Sequence, residues 1–235
     1  MTTKRPAQRP ARRPAPAPPP PKKPLWLWAA IGAIVVIALG IAVWSTRGSD
    51  AKVSVGTIGT DNSSSSAAET QPVTTVGNPL PKQTHSGVDD TPIGLTPPTV
   101  KGFTFAGSPI DIVPGGRAKM VVFLAHWCPH CNREIPVIEG WAAAGGVPAN
   151  LDIIGVSTGV SAQADNYPPS QWIAKMGWKW PVMADSPNNE AALAYGLGGY
   201  PTFVIVGADG KVKVRNSGEL PQADLDAMVK QALAG

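Results

Sequence analysis

The only two cysteines of this chain lie three residues apart in the pentapeptide WCPHC at 127–131. Only His126 separates the pentapeptide from the apolar run MVVFLA at 120–125, and a Cys-x-x-Cys between a strand and a helix is typical of a redox site. If a helix begins at Pro129, the Cβ atoms of Cys128 and Cys131 lie about 5–6 Å apart on one helix face. A small adjustment closes that gap to the roughly 3.5–4.5 Å of a disulfide. The spacing therefore predicts a reversible disulfide, Cys128–Cys131.

The start of a helix gives the two sulfurs different roles. Cys128 is expected where unpaired N–H groups and the positive end of the helix dipole meet, which favours its thiolate and makes it the attacking sulfur. Pro129 suits the first helical position because its φ is already helical. Cys131, one turn inside, is expected to resolve the mixed disulfide. His130 is expected to donate a hydrogen bond or a positive charge to the Cys128 thiolate, and a more stable reduced form makes a stronger oxidant.

Three other functions of these cysteines are less well supported by the sequence. A structural disulfide is one, but closing so short a loop removes little entropy from the unfolded chain. A metal site is another, because His126 and His130 flank the two cysteines, although zinc ligands usually come in two separated pairs. Haem attachment fails because Asn132, and not a histidine, follows the second cysteine. We therefore expect a redox-active pair with no resident metal and no cofactor.

Residues 25–44 predict a transmembrane helix. These twenty residues carry no charge, and a helix of this length can cross about 30 Å of hydrocarbon. Tryptophans lie near both ends of the segment. Residues 1–24 hold seven of the 20 basic residues and none of the 16 acidic ones, so the N-terminus is expected to stay cytoplasmic. A cleaved signal peptide is the alternative, but the apolar run is too long for one. The remainder of the chain is then expected outside the cell membrane.

Composition divides the chain into four parts. Residues 1–24 form a basic, proline-rich tail, residues 25–44 the span, residues 45–90 a flexible linker rich in Ser, Thr, Gly and Pro, and residues 91–235 the folded domain. The basic excess is confined to the tail beside the predicted membrane helix. It therefore suggests contact with anionic lipid and argues against nucleic acid as a partner.

The folded part alternates between strand and helix patterns. We expect a hairpin near 102–113, strands at 119–125, 151–157, 180–184, 201–206 and 211–215, and helices at 129–144, 169–177, 188–193 and 220–234. This order predicts an α/β fold with a central mixed, mostly parallel sheet and helices on both faces.

With these residues in place, the chain resembles the thioredoxin superfamily. The resemblance covers about residues 101–235. Within the superfamily, the chain most resembles the membrane-anchored TlpA/ResA-like thiol-disulfide oxidoreductases, and the stretches VVFLAHWCPHCNREIPVI and GGYPTFVIVGADG carry this resemblance. The resemblance implies a thioredoxin-like fold, a cis Tyr200–Pro201 bond that faces the disulfide and binds substrate, and an acid, Glu134, beside the cysteines. It places Trp127 as a platform next to Cys128. His126 and His85 are expected at the surface.

Two departures from the family leave the direction of exchange open. Val122 occupies the place where thioredoxin has a buried acid, so proton transfer to and from Cys131 would fall to Glu134 or to water. The Cys-Pro-His-Cys sequence resembles the disulfide-donating DsbA branch, and His130 therefore favours an oxidase or isomerase. A reductant of the cytochrome-maturation type and a copper- or zinc-binding module are the alternatives. The implied partners are thiols or disulfides of exported proteins and a membrane redox partner.

Overall fold

The computed structural model describes residues 68–234, and every structural statement below refers to that part of the chain. Its strands and helices are, in chain order, β1 (Thr74–Val76), β2 (Gly87–Val88), β3 (Thr99–Phe103), β4 (Pro109–Ile112), β5 (Ala118–Leu124), α1 (Pro129–Ala143), β6 (Leu151–Ser157), α2 (Pro169–Lys175), β7 (Val182–Ala184), α3 (Glu190–Ala194), β8 (Thr202–Val206), β9 (Val212–Ser217) and α4 (Gln222–Ala234). This is a thioredoxin-like α/β fold, as the resemblance implies.

The strands form one mixed sheet. The order is β1-β3-β7-β6-β5-β8-β9-β2, and β4 pairs with β3. Within the described residues only the pairs β5–β6 and β6–β7 are parallel, and β8 runs antiparallel to β5. The expectation of a mixed sheet is confirmed, but the sheet is not mostly parallel. Hairpin-type connections around β3–β4 and β8–β9 place antiparallel strands beside the parallel core.

The centre of the sheet is β5, whose sequence AKMVVFL is buried on both faces. Alternation along the strand sends Met120 and Val122 to the face covered by α1, α2 and α4. Val121 and Phe123 face the opposite cluster, to which α3 contributes. Because both faces are covered, β5 is held rigidly where it ends, at the pentapeptide that contains the cysteines.

The segment before β3 corrects the predicted boundary between linker and domain. Residues 69–90 were expected to belong to a flexible linker, yet they contain β1 and β2 and lie along the domain. Backbone N–H groups of Leu80 and Gln83 donate to Ala194 O (2.9 Å) and Gly196 O (2.8 Å). Leu80 is buried in the core cluster beside α3. We call residues 69–90 the strap.

A buried ion pair fixes the end of the strap. Asp89, 3% exposed, pairs with Arg215 of β9, which is fully buried and also donates to Pro81 O (2.7 Å) and Tyr195 O (3.0 Å). Burial alone would raise the pKa of Asp89, but hydrogen bonds from Thr91 and Arg215 outweigh it and lower that pKa to about 2. The strap is therefore part of the folded unit.

Several sequence expectations lie outside the described residues. These are the tail at 1–24, the transmembrane helix at 25–44 and the linker from 45 to 67. Among residues 68–234, no helix is both long enough and apolar enough to cross a membrane.

Candidate active site

Cys128 lies at the junction of β5 and α1. It is the N-cap of α1, with an extended backbone (φ −77°, ψ 118°), and Pro129 is the first residue of the helix. Its N–H donates to Ala125 O (3.0 Å), which closes the turn out of the strand. The predicted helix start is confirmed. The sulfur therefore lies beside the unpaired N–H groups and the positive dipole of α1.

The carbonyl of Cys128 is linked through Asn132 of α1 to the helix α2. Asn132 donates to Cys128 O through its backbone N–H (3.2 Å) and through its side-chain Nδ2 (2.9 Å). The Asn132 Oδ1 in turn accepts from Trp172 Nε1 of α2 (2.8 Å). The first turn of α1 is thus braced by α2, a role that sequence analysis did not assign to either side chain.

Cys131 lies beneath Cys128 and is fully buried, whereas Cys128 retains 4% exposure. Both are free thiols, so the structure is the reduced state. Burial raises the pKa of Cys131 far above its ordinary value, and the nearby charges of Cys128 and Glu134 add to that rise. Cys128 is consequently the accessible sulfur, and Cys131 needs a base before it can react.

Glu134 is a fully buried carboxylic acid one turn beyond Cys131. Its Oε2 accepts from the Leu220 N–H (3.0 Å), while Oε1 is buried without a hydrogen-bond partner. Burial raises the Glu134 pKa to about 7, and the charge of Glu219 contributes to the rise. Val122 lines the same core and offers no carboxylate. The predicted proximity of Glu134 to the cysteines is therefore confirmed, and its acid is tuned to titrate near neutrality.

The Tyr200–Pro201 peptide is cis, as the resemblance implies. The Cys128 thiol donates to the carbonyl of Tyr200 (Sγ to O, 3.6 Å), so this loop faces the attacking sulfur. Burial raises the pKa of Tyr200, and the charges of Cys131 and Cys128 add to the rise. The Tyr200–Pro201 peptide therefore lies directly beside Cys128.

Trp127 forms the other side of that opening. Its side chain is 38% exposed, its Nε1 donates to Gly159 O (2.7 Å), and its ring meets Tyr200 edge-on at 5.7 Å between centroids. Gly159 has a φ of +64°, and a Cβ there would come within 3.2 Å of the Tyr200 hydroxyl. Asn189 Oδ1 accepts from the Gly159 N–H (2.8 Å) and fixes this loop. Trp127 therefore lies against Tyr200 and the Gly159 loop, and its role as a platform next to Cys128 stays a prediction.

His130 has a different partner from the expected one. Its Nδ1 pairs with the carboxylate of Glu219, and the Arg133 Nη2 lies 3.0 Å from the same ring nitrogen. Within residues 68–234, no hydrogen bond joins His130 to Cys128. The predicted contact is therefore wrong for the reduced state, because an exposed imidazole at the second helical position is drawn to the nearest carboxylate.

His126 is buried, so its expected surface location is wrong. Its Nε2 accepts from the Ser161 N–H (3.2 Å), which leaves the proton on Nδ1 to be donated to Asp165 O (2.7 Å). Both ring nitrogens therefore hold the loop after β6 in place. No group of histidines, cysteines and carboxylates that could hold a metal ion occurs within residues 68–234.

Arg133 and Glu219 were not predicted as site residues. Arg133 Nη2 donates to Glu219 Oε1 (2.6 Å), and Nε lies 3.1 Å from both carboxylate oxygens. Helical spacing could have placed Arg133 beside His130, three residues earlier. Glu219 carries no such signal, because it is separated from Arg133 by 86 positions.

Comparison with known proteins finds one family and several relatives. The profile of the Redoxin family matches residues 107–232. The chain is similar to Thiol:disulfide interchange protein CycY of Rhizobium leguminosarum bv. viciae, 28% identical over 134 residues, and to Thiol:disulfide interchange protein HelX of Rhodobacter capsulatus, 31% identical over 122 residues. These matches cover 57% and 51% of this chain, and 64% and 63% of the relatives, so the chain spans less than two thirds of either relative.

A solved structure also matches the folded part. A secreted disulfide oxidoreductase of Mycobacterium tuberculosis, homologous to E. coli DsbE, is 25% identical with a TM-score of 0.47. The match covers 55% of this chain and 93% of that chain.

Proposed function

The chain belongs to the Redoxin family, and on that premise we propose that it is a thiol-disulfide oxidoreductase that works through Cys128 and Cys131. The observation that carries the proposal is the stacking of the two thiols at the start of α1. Cys128 is at the N-cap and bonds to the loop before Pro201, while Cys131 is fully buried directly behind it.

One intermediate serves both directions of exchange. In reduction, the Cys128 thiolate attacks a substrate disulfide, an S–S bond forms between Cys128 and the substrate, and the other substrate sulfur leaves as a thiolate. Cys131 then loses its proton and attacks Cys128, which closes the Cys128–Cys131 disulfide and releases the second substrate thiol. Oxidation runs the same steps backwards, so two electrons pass between the same four sulfurs.

Glu134 is the group that exchanges a proton with Cys131. A buried thiol with a strongly raised pKa reacts only if a base takes its proton, and the Glu134 carboxyl titrates near pH 7 in the same pocket. In its ionised form it accepts the Cys131 proton as the mixed disulfide is resolved. In its protonated form it returns that proton when Cys131 becomes a leaving group.

The opening between Trp127 and Tyr200 is the proposed substrate site. The ring of Trp127 and the Tyr200–Pro201 loop flank Cys128, and an extended substrate chain can pair with the backbone beside Pro201.

We further propose a cell-membrane location with one span at 25–44 and the domain outside the cytoplasm. Support comes from the uncharged run and from the basic tail before it. Oxidation or isomerisation of exported proteins is the direction favoured by Cys-Pro-His-Cys, with a membrane redox partner to renew the active state. The Glu219 partner of His130 moderates that preference, because the imidazole nitrogen is engaged by a carboxylate.

Trapping tests the exchange reaction directly. The Cys131→Ala chain is expected to accumulate mixed disulfides with exported proteins through Cys128, because the sulfur that resolves them is gone. Nonreducing gels and mass spectrometry of the adducts measure this. The matched controls are Cys128→Ala and the double variant, which should trap nothing. Equal trapping by Cys128→Ala, or no adducts from Cys131→Ala under mildly oxidising conditions, would refute the proposal.

A further inference from the structure

The first turn of α1 carries a charged cluster that the exchange mechanism does not use. It consists of His130, Arg133 and Glu219, and we call it the Glu219 cluster. The carboxylate of Glu219 accepts from the Arg133 guanidinium at three distances between 2.6 and 3.1 Å and pairs with His130 Nδ1. All three side chains are partly exposed, so the cluster lies at the rim of the active site.

Glu219 is held in place by its sequence neighbours. Before it, the N–H of Gly218 donates to Pro201 O (2.8 Å), and Gly218 has a φ of +106° that a side chain would rarely adopt. After it, the Leu220 N–H donates to the buried Glu134 (3.0 Å). The two residues that flank Glu219 are thus bonded to the substrate loop and to the proton-transfer group. Its carboxylate is therefore fixed relative to the site.

The cluster is electrically coupled to the attacking sulfur. The pKa of Arg133 is raised, chiefly by its hydrogen bond to Glu219, and the charge of Cys128 contributes to the rise. Cys128 is the N-cap of α1 and Arg133 is the fifth residue of that helix, so the guanidinium lies at the helix end that carries the attacking sulfur. Glu219 opposes the effect of that positive charge, since it neutralises Arg133 and engages His130. Hydrogen bonds from Arg133 and then His130 lower the Glu219 pKa to about 2, so its negative charge is permanent.

We propose that Glu219 is a positioning residue that sets the redox potential of the Cys128–Cys131 pair, by holding Arg133 and His130 at the first turn of α1 and balancing their positive charge. This role rests on the proposed exchange function, because it concerns what sets the redox potential of the same two cysteines. Without Glu219, the Arg133 guanidinium and the His130 imidazole at the start of α1 lose the carboxylate that pairs with both. The thiolate gains stability, the dithiol form is favoured, and the disulfide becomes a stronger oxidant.

The test is the redox equilibrium of the full-length chain with glutathione, in mild detergent, for the native protein and its variants. Glu219→Gln is expected to shift the equilibrium about threefold toward the dithiol, the size typical of partly exposed charge pairs. Arg133→Gln is expected to shift it in the opposite direction by a similar factor. A threefold change corresponds to on the order of 15 mV for a two-electron couple.

The matched control is the pair Arg117–Asp152, which joins the far end of β5 to β6 with an N–O distance of 2.8 Å and has comparable exposure. Asp152→Asn and Arg117→Gln remove the same charges away from the site and should leave the potential unchanged. Glu219→Asp keeps the charge and should recover most of the native value. Raising salt to about 1 M should shrink the Glu219→Gln shift, because exposed charges are then screened within a few ångströms.

Two failures are distinguishable. If Glu219→Gln leaves the potential unchanged, shifts it toward the reducing side, or gives a shift that salt does not alter, the role of Glu219 is refuted while exchange through the cysteines stands. If the native protein forms no Cys128–Cys131 disulfide with oxidised glutathione, the proposed function itself fails. Thermal unfolding of each reduced variant confirms that the fold is retained. If Glu219→Gln does not fold, the Arg133→Gln chain carries the test, and an unchanged potential in it refutes the role of the cluster.

Discussion

At the scale of single residues, Glu134 shows how burial converts an ordinary acid into a group that titrates near neutrality. Its carboxyl is fully buried, has one hydrogen bond from Leu220, and leaves one oxygen unpaired. Water is a better solvent for the carboxylate than this pocket is, so the protonated form is favoured in the folded state. Because the buried carboxylate is poorly solvated, its pKa lies near neutral pH, and the residue can both accept and donate a proton there.

Glu134→Gln is expected to remove a pH-dependent loss of stability. Burial raises the Glu134 pKa from 4.5 to about 7, so between these pH values the unfolded chain has released a proton that the folded chain keeps. The stability of the native protein therefore falls as pH rises through this window, by roughly 3 kcal/mol in total. Urea unfolding of the reduced proteins should find the variant more stable than the native chain at pH 8.5 and nearly equal to it at pH 5.

The control for this comparison is Glu139→Gln. Glu139 lies on the same helix, its side chain is 14% exposed, and its carboxylate pairs with the largely exposed Lys179 (2.8 Å). Its substitution should change stability by a similar amount at both pH values. An equal difference between native and Glu134→Gln proteins at pH 5 and at pH 8.5 would contradict the assignment of the raised pKa to Glu134.

The sequence identified the residues whose roles are local. Cys128, Pro129, Cys131 and Glu134 lie within seven positions, so helical geometry alone predicts their relative placement. Glu219 was missed because its contacts with α1 cross 86 positions of chain and depend on how β9 turns into α4. The same reason explains the wrong expectation for His130, whose partner comes from that distant turn.

At the scale of elements, the strap shows where pattern analysis loses its signal. Buried strands such as β5 and β8 have continuous apolar sequences that predict them well. Strands β1 and β2 are only three and two residues long, largely exposed, and held by hydrogen bonds and by the Asp89–Arg215 pair. No apolar periodicity marks such a segment, so composition alone assigned it to the linker.

Asp89→Asn is expected to destabilise the domain by about 3–5 kcal/mol, because it leaves the fully buried Arg215 without its counter-charge. The lowered pKa of Asp89 means that its contribution is complete above about pH 4 and is lost as pH falls toward 2. Chemical denaturation at pH 7 and at pH 3 measures both effects, and the difference between the two proteins should narrow at the lower pH.

The exposed neighbour Asp90 supplies the matched control. Asp90→Asn removes the same charge one position away and should change the free energy of unfolding by less than about 0.5 kcal/mol. If both substitutions have the same small effect, the buried pair does not secure the strap.

At the scale of the whole molecule, the folded unit is larger than the sequence indicated. The strap crosses from the end of β7, where Gln71 N–H donates to Asp185 O (3.3 Å), to β9, where Asp89 N–H donates to Arg215 O (2.9 Å). Glu69 also accepts from the Ser170 N–H (2.8 Å) and hydroxyl (2.6 Å) at the start of α2. A boundary at residue 91 would therefore cut through the domain.

Two shortened chains test this boundary. Residues 68–235 are expected to fold and to exchange disulfides at the native rate, since they retain every contact described above. Residues 91–235 lose Leu80 and Asp89, so we expect a loss of several kcal/mol in unfolding free energy and rapid proteolysis. Circular dichroism on heating, limited proteolysis and an insulin-reduction assay compare the two. Equal stability of both chains would show that the strap is dispensable.

The complete burial of Cys131 also bears on how the site withstands peroxide. An oxidant can reach only Cys128, which it converts to a sulfenic acid with release of water from hydrogen peroxide. Cys131 then condenses with that sulfenic acid, a second water is lost, and the product is the same disulfide that ordinary turnover makes. Oxidative injury at this thiol is thereby returned to the working cycle before it can advance to the irreversible sulfinic stage.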